Sequence, residues 1–214
     1  MRKILLIIAF LISGMGLNAQ NLWDKTIIDY DGYSLRFTVT TIEPAECEVD
    51  CSTQPTAETE ITIPSTVMIE GVEFSVTTVG WGAFSGCSSL TSIEIPSTVT
   101  TIGSEAFLGC TALATVTFGD DSQLTTISGY AFYYCSSLTN IEIPSTVTTI
   151  EGLAFYDCSS LTNIEIPSSV TTIEGLAFFN CSKLSNVTFG ENSQLTSIGK
   201  RQFLNNRIWK NLIF

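Results

Sequence analysis

The sequence predicts a repeat solenoid: a right-handed coil with short parallel strands on one face, short helices or turns on the other, and a β-rich N-terminal cap. Three observations carry that prediction. A unit of the form L-x-x-I-x-I-P-S-x-V-x-x-I-x-x-x-A-F-x-x-C-S-x recurs through the chain, beginning for example at Leu138 and again at Leu161. Phe84, Phe107, Phe132, Phe155 and Phe178 keep time at spacings of 23, 25, 23 and 23 residues. Cys87, Cys110, Cys135, Cys158 and Cys181 each follow three residues later. Units of such length cannot bury an apolar face alone and do so only by stacking on their neighbours.

Taken in order, residues 1–19 stand apart from the repeats. Arg2 and Lys3 precede an apolar stretch from Ile4 to Leu17, and Asn18-Ala19 precedes Gln20. This is the layout of a cleaved secretory signal, and about 14 apolar residues are few for a bilayer span. An uncleaved anchor is the competing reading. The chain is expected to be exported, with no membrane span in its mature part.

Residues 20–60 are expected to form the N-terminal cap. Tyr33-Ser-Leu-Arg-Phe-Thr-Val-Thr alternates apolar and polar residues as a half-buried strand does. Residues 43–60 are acidic, contain Pro44 and Pro55, and are expected to be rich in loops. A Cys47–Cys51 bridge closing a small loop is expected there. Residues 61–199 form the repeat array, starting with a variant unit whose insertion, residues 68–75, places Gly71 in a hairpin turn. Two coils replace I-P-S-x-V by longer segments, Phe118-Gly-Asp-Asp-Ser-Gln-Leu124 and Phe189-Gly-Glu-Asn-Ser-Gln-Leu195. Residues 200–214 continue the phase in degraded form, with Asn206 in the cysteine slot, Trp209 in the leucine slot, and Leu212 and Phe214 in the strand slots. Lys200, Arg201, Arg207 and Lys210 make this a basic C-terminal cap; the end of a truncated longer array is the competing reading.

Within a regular unit, Ile141 and Ile143 point inward and Asn140 and Glu142 outward, because side chains alternate along a strand. Stacking in register puts equivalent residues about 4.8 Å apart. The proline after the strand (Pro96, Pro144, Pro167) has no N–H to give and ends the pairing. V-T-T-I is expected to form a second short strand, and A-F-x-x-C a compact turn or short helix. A period of this length with these slots is leucine-rich-repeat-like. The pattern I-x-I-P-S-S-V-T-x-I-x-x-x-A-F-x-x-C-S-S-L resembles the BspA-like leucine-rich repeats of bacterial and some protozoan surface proteins, over residues 61–203. That resemblance implies a secreted or surface-exposed, adhesin-type protein that binds host or partner proteins. It brings no catalytic residues with it.

Charge and composition narrow the function. No Lys or Arg lies between Arg36 and Lys183, whereas 17 acidic residues do. A phosphate-binding surface needs those cations, so nucleic acid is excluded as a partner of the repeats. The chain has no histidine, which removes the commonest neutral-pH acid–base group and metal ligand. No enzyme activity, cofactor or metal site is expected. The candidate binding face is the outward strand column: Ser92, Glu94, Thr115, Thr117, Asn140, Glu142, Asn163, Glu165, Asn186 and Thr188, expected on a flat, concave sheet. A candidate aromatic edge joins Tyr133, Tyr134, Tyr156 and Phe179, which alternatively pack over neighbouring coils. The repeat cysteines are expected as free, buried thiols, because parallel Cβ vectors do not converge on a bridge. The expected partner is a protein, a host extracellular protein among the candidates, met by a monomeric solenoid. Two other readings stay open: a glycan-binding or glycan-active β-solenoid, and a passive structural spacer.

Overall fold

The computed structural model describes residues 25–30, 33–57 and 59–208. The expected signal segment and the slots at Trp209, Leu212 and Phe214 lie outside them. Fifteen strands follow in order: β1 (Lys25–Tyr30), β2 (Tyr33–Thr41), β3 (Glu46–Thr53), β4 (Thr59–Thr62), β5 (Thr66–Ile69), β6 (Val72–Val79), β7 (Leu90–Ile95) and β8 (Thr101–Ile102). They continue with β9 (Thr115–Phe118), β10 (Thr126–Ile127), β11 (Thr149–Ile150), β12 (Asn163–Ile166), β13 (Thr172–Ile173), β14 (Asn186–Phe189) and β15 (Ser197–Ile198).

One sheet runs the length of the described chain in the order β1-β2-β3-β6-β8-β10-β11-β13-β15. Its first three strands, in the segment expected to be the cap, are antiparallel; from β3 onward each step is parallel. Strands β8, β10, β11, β13 and β15 fall at the V-T-T-I position of their coils, and the Thr–Ile pairs of β8, β10, β11 and β13 stack in register from coil to coil. The insertion in the variant unit is the β5–β6 hairpin. Glu70 and Gly71, at φ 51° and 84°, are both left-handed, as a two-residue hairpin turn matching strand twist requires.

The cap differs from the expected loop. Cys47 and Val49 alternate with more exposed neighbours, so residues 46–53 form β3, hydrogen-bonded to β2 on one side and β6 on the other. The same fact removes the Cys47–Cys51 bridge. Four residues apart on one extended strand, the two lie about 13 Å apart, beyond the bridging range, and both thiols are free. Cys51 instead sits beside Cys87, whose hydrogen bond draws the Cys51 thiol below its ordinary value while Cys87 is pushed up.

The A-F-x-x-C stretches are turns rather than short helices, for a reason visible in every coil. The residues two before and two after each phenylalanine are left-handed: Gly82 and Gly86, Glu105 and Gly109, Tyr130 and Tyr134, Leu153 and Asp157, Leu176 and Asn180, with φ between 58° and 75°. A helix cannot run through alternating hands. In the coils of Phe84, Phe107, Phe132 and Phe155, the left-handed residues and the phenylalanine between them donate to the next coil, as in Phe107 N–H to Ala131 C=O (2.8 Å) and Gly109 N–H to Tyr133 C=O (2.8 Å). The intervening N–H groups close tight turns within their own coil, as in Cys110 to Phe107 C=O (3.1 Å). Every N–H of the turn in those coils thereby finds a partner.

The core follows the predicted slots. The five repeat phenylalanines are wholly buried and stack nearly parallel at 5.1–5.3 Å between centroids, with Phe203 continuing at 5.6 Å. The thiols of Cys110, Cys135, Cys158 and Cys181 each donate to the carbonyl of the preceding coil's phenylalanine at 3.1–3.2 Å. Asn206, in the next cysteine slot, makes the same bond to Phe178 C=O at 3.0 Å through its amide. The slot is therefore occupied by a donor, and the thiol is there to satisfy a carbonyl as well as to fill space.

Candidate functional site

The strand face is built from I-x-I segments, and it is not continuous. β4, β7 and β9 form one three-stranded parallel sheet and β12 with β14 a second. Between them lies the coil at residues 139–143, which forms no strand. Thr162 N–H reaches Thr139 C=O at 3.2 Å, but the N–H groups of Asn140, Ile141, Glu142 and Ile143 donate no backbone hydrogen bond to either neighbour. The sequence expectation of an unbroken flat sheet fails at this coil.

The residue after the strand explains where pairing holds. In the longer coils it is glycine, and Gly119 N–H donates to Ile95 C=O, Gly190 N–H to Ile166 C=O, both at 2.9 Å. A Cβ at Gly119 would stand 2.8 Å from Ser97 N, and one at Gly190 2.7 Å from Ser168 N, so the close approach that allows this bond admits only glycine. In the two coils stacked on β9 and on residues 139–143, that place belongs to Pro144 and Pro167, which have no N–H. The β4-to-β7 step pairs despite Pro96, through Ile63 N–H to Glu94 C=O at 3.0 Å.

Where the rungs part, a cleft of about 960 Å³ opens on the strand face. β9, the long turn at residues 119–123 and residues 139–146 line most of it, with Glu165, Pro167, Ser168 and Gly190 beyond. Val116 and Ile143, each 5% exposed, are less tightly covered than the corresponding Ile93 and Ile166, at 1% and 0%. Thr115, Thr117, Asn140, Glu142 and Glu165 of the predicted face border this cleft. Ser92, Glu94, Asn163, Asn186 and Thr188 lie on the same face outside it. All ten are exposed to solvent except Ser92, which is half-buried. Asp120 and Asp121, on the long turn, also line the cleft. The turn's shape is set locally: Asp121 is left-handed and the Gln123 amide donates to its carbonyl at 2.7 Å. None of the four carboxylates is in an ion pair.

Not all the acidity is free for a partner. Glu151 Oε2 accepts Gly129 N–H at 2.8 Å and Glu174 Oε2 accepts Gly152 N–H at 3.0 Å, tying adjacent coils. The aromatic edge lies elsewhere, on the turn side. Tyr133 stacks on Tyr156 at 4.7 Å and Tyr156 on Phe179 at 5.0 Å, while Tyr134 meets Tyr133 edge-on at 4.7 Å. Ring faces are spent on each other, leaving Tyr134, and Tyr130 beside Tyr133, as the exposed members. No group of three or more potential metal ligands occurs among the described residues, and none of their helices is long and apolar enough to cross a membrane.

Stacked coils of about 23 residues, with a parallel rung per coil and aliphatic, phenylalanine and cysteine ladders inside, define a leucine-rich-repeat solenoid. The chain belongs to the BspA-type leucine-rich repeat family: six copies of that repeat match across residues 77–210. Among solved structures it is similar to a leucine-rich cell surface protein from Faecalibacterium prausnitzii, at 31% identity and a TM-score of 0.67 over 84% of this chain and 52% of that one. It is also similar to a leucine-rich repeat protein from Bacteroides ovatus, at 28% identity and 0.63 over 79% and 46%. A third likeness is to a T. pallidum leucine-rich repeat protein, at 25% identity and 0.59 over 81% and 86%. The chain thus spans about half the length of the first two. No curated protein matches it.

Proposed function

We propose that this is an exported, surface-exposed repeat protein that binds a partner protein through its solenoid, without catalysis, and that the strand face at the open coil is the contact. The interruption of the face at residues 139–143 carries this reading. A fold whose other columns repeat with little change departs from its own pattern there, and polar side chains, free peptide groups and unpaired carboxylates come together at the departure. The cell-surface description of the F. prausnitzii protein supports the location, and the basic start and apolar stretch of residues 1–19 support export. A glycan-hydrolysing reading is weaker. Glu142 and Glu165 are exposed to solvent, without the apolar enclosure that a carboxylic general acid needs.

The test is capture of purified extracellular matrix proteins by the immobilised chain, repeated with Glu142→Lys and Glu165→Lys together. Specific capture that the double variant abolishes is the expected result. Capture that the variant leaves unchanged moves the contact off this face. No capture across a broad panel leaves a spacer as the better description.

A further inference from the structure

An open rung in a stack of parallel strands is a place for one more strand. The coil at residues 139–143 leaves four consecutive N–H groups without a backbone acceptor, and β9 is hydrogen-bonded to β7 along one edge only. Unpaired strand edges are templates for extended chain, and extended peptides bind by completing such edges, with main-chain bonds giving affinity and alternate side chains giving specificity. The cleft between these edges, about 960 Å³, lies in the size range of pockets that enclose a ligand.

The walls specify the occupant further. Side chains of an added strand alternate between two environments. Those facing in would meet Val116, Ile141 and Ile143, which asks for β-branched or small apolar residues. Those facing out would lie beside Thr117 and Glu142, with Asp120 and Asp121 at one end. No cation of this chain lies between Arg36 and Lys183 to neutralise those carboxylates, and opposite charges on adjacent strands attract where like charges repel.

Resting on the partner-binding reading above, we propose that the cleft takes an extended segment of the partner in which basic and β-branched residues alternate, added as a strand beside residues 139–143. The segment hydrogen-bonds those free peptide groups that face it, which alternate along residues 139–143, and its Lys or Arg side chains pair with Glu142 and the aspartates.

The probe is a short, end-capped, fluorescent peptide alternating lysine and valine, followed by anisotropy against the full chain. Three companion peptides are measured: one with alternate backbone amides N-methylated, one with glutamate for lysine, and one of the same composition with lysines and valines segregated. Saturable binding is expected for the alternating peptide, weakened at least about tenfold by each companion's change, a difference of about 1.4 kcal/mol. The Glu142→Lys/Glu165→Lys variant should weaken it similarly, whereas Glu70→Lys at the distant hairpin should leave it unchanged. Equal binding of the N-methylated or segregated peptide would overturn strand addition in favour of plain charge attraction. Binding of a neutral oligosaccharide or of calcium at this cleft in place of the peptide would overturn the choice of occupant. Matrix-protein capture that depends on Glu142 and Glu165, with no peptide binding, would remove this proposal and leave the partner reading standing. Loss of both would remove the two together.

Discussion

The turn side and the strand side of these coils are joined by the same kind of bond, yet only one of them is continuous. On the turn side, every coil contributes N–H groups to the next through its two left-handed residues, joined from Phe84 to Phe155 by the phenylalanine between them, and the Thr–Ile pairs of β8, β10, β11 and β13 continue without a gap into Ser197–Ile198 of β15. On the strand side, pairing holds at β7–β9 and β12–β14 and fails at the coil between them. The difference teaches that the phenylalanine and cysteine columns hold the solenoid together. That leaves the I-x-I face free to open where a proline withholds one donor.

This contrast can be broken by experiment, beginning with the side that bears the load. Phe132→Ala removes a ring stacked on both faces at 5.2 Å and should cost about 3–5 kcal/mol, measured by urea unfolding; a loss below about 1 kcal/mol would contradict a load-carrying phenylalanine stack. Alkaline pH tests the same side. Burial pushes Cys110 and Cys181 up to about 12 from an ordinary 9.0. The folded state then keeps protons that the unfolded chain releases, so stability present below pH 9 should fall as pH rises towards about 12. Cys110→Ala with Cys181→Ala should flatten that fall in the unfolding midpoint; an unchanged slope would assign it to other groups.

Hydrogen exchange compares the two sides directly. Amides of residues 140–143 should exchange at least about tenfold faster than those of Ile127 and Ile150, since local opening there breaks no rung. Pro144→Ala restores an N–H opposite Phe118 C=O, and should slow exchange at residues 140–143 by severalfold. If exchange is uniform, or the substitution changes nothing, proline is not what opens the face. The smallest effect belongs to the cysteine ladder. Cys158→Ala forfeits the bond to Phe132 C=O and should cost about 1 kcal/mol, with Cys158→Asn recovering part of it if Asn206 is a fair guide.

Much of this was legible beforehand, and for a physical reason. Core columns must repeat because each coil rests on the one before it, so Phe84 to Phe178, the cysteines and the aliphatic slots could be placed from spacing alone. The hairpin turn at Gly71 was legible because few residues tolerate that backbone. What escaped was pairing between coils. Pro96, Pro144 and Pro167 look alike in sequence, but their effect depends on the neighbour above or below, and only Gly119 and Gly190 reveal by contrast which donor is missing. The helix-or-turn ambiguity of A-F-x-x-C was equally non-local, because residues such as Leu153 and Leu176 have no intrinsic preference for the left-handed backbone they adopt. Cys51 escaped by the same route: its neighbour is Cys87, 36 positions away in sequence and one coil away in space.

The open coil also has a mechanical meaning. Bonds between coils run along the solenoid axis, so tension applied from end to end loads the rungs in series, and the weakest one yields first. At residues 139–143 the strand side contributes almost nothing to that resistance. A solenoid pulled between a surface and a captured partner would bend or part there, with the turn side acting as the hinge, before the better-paired coils on either side came under strain.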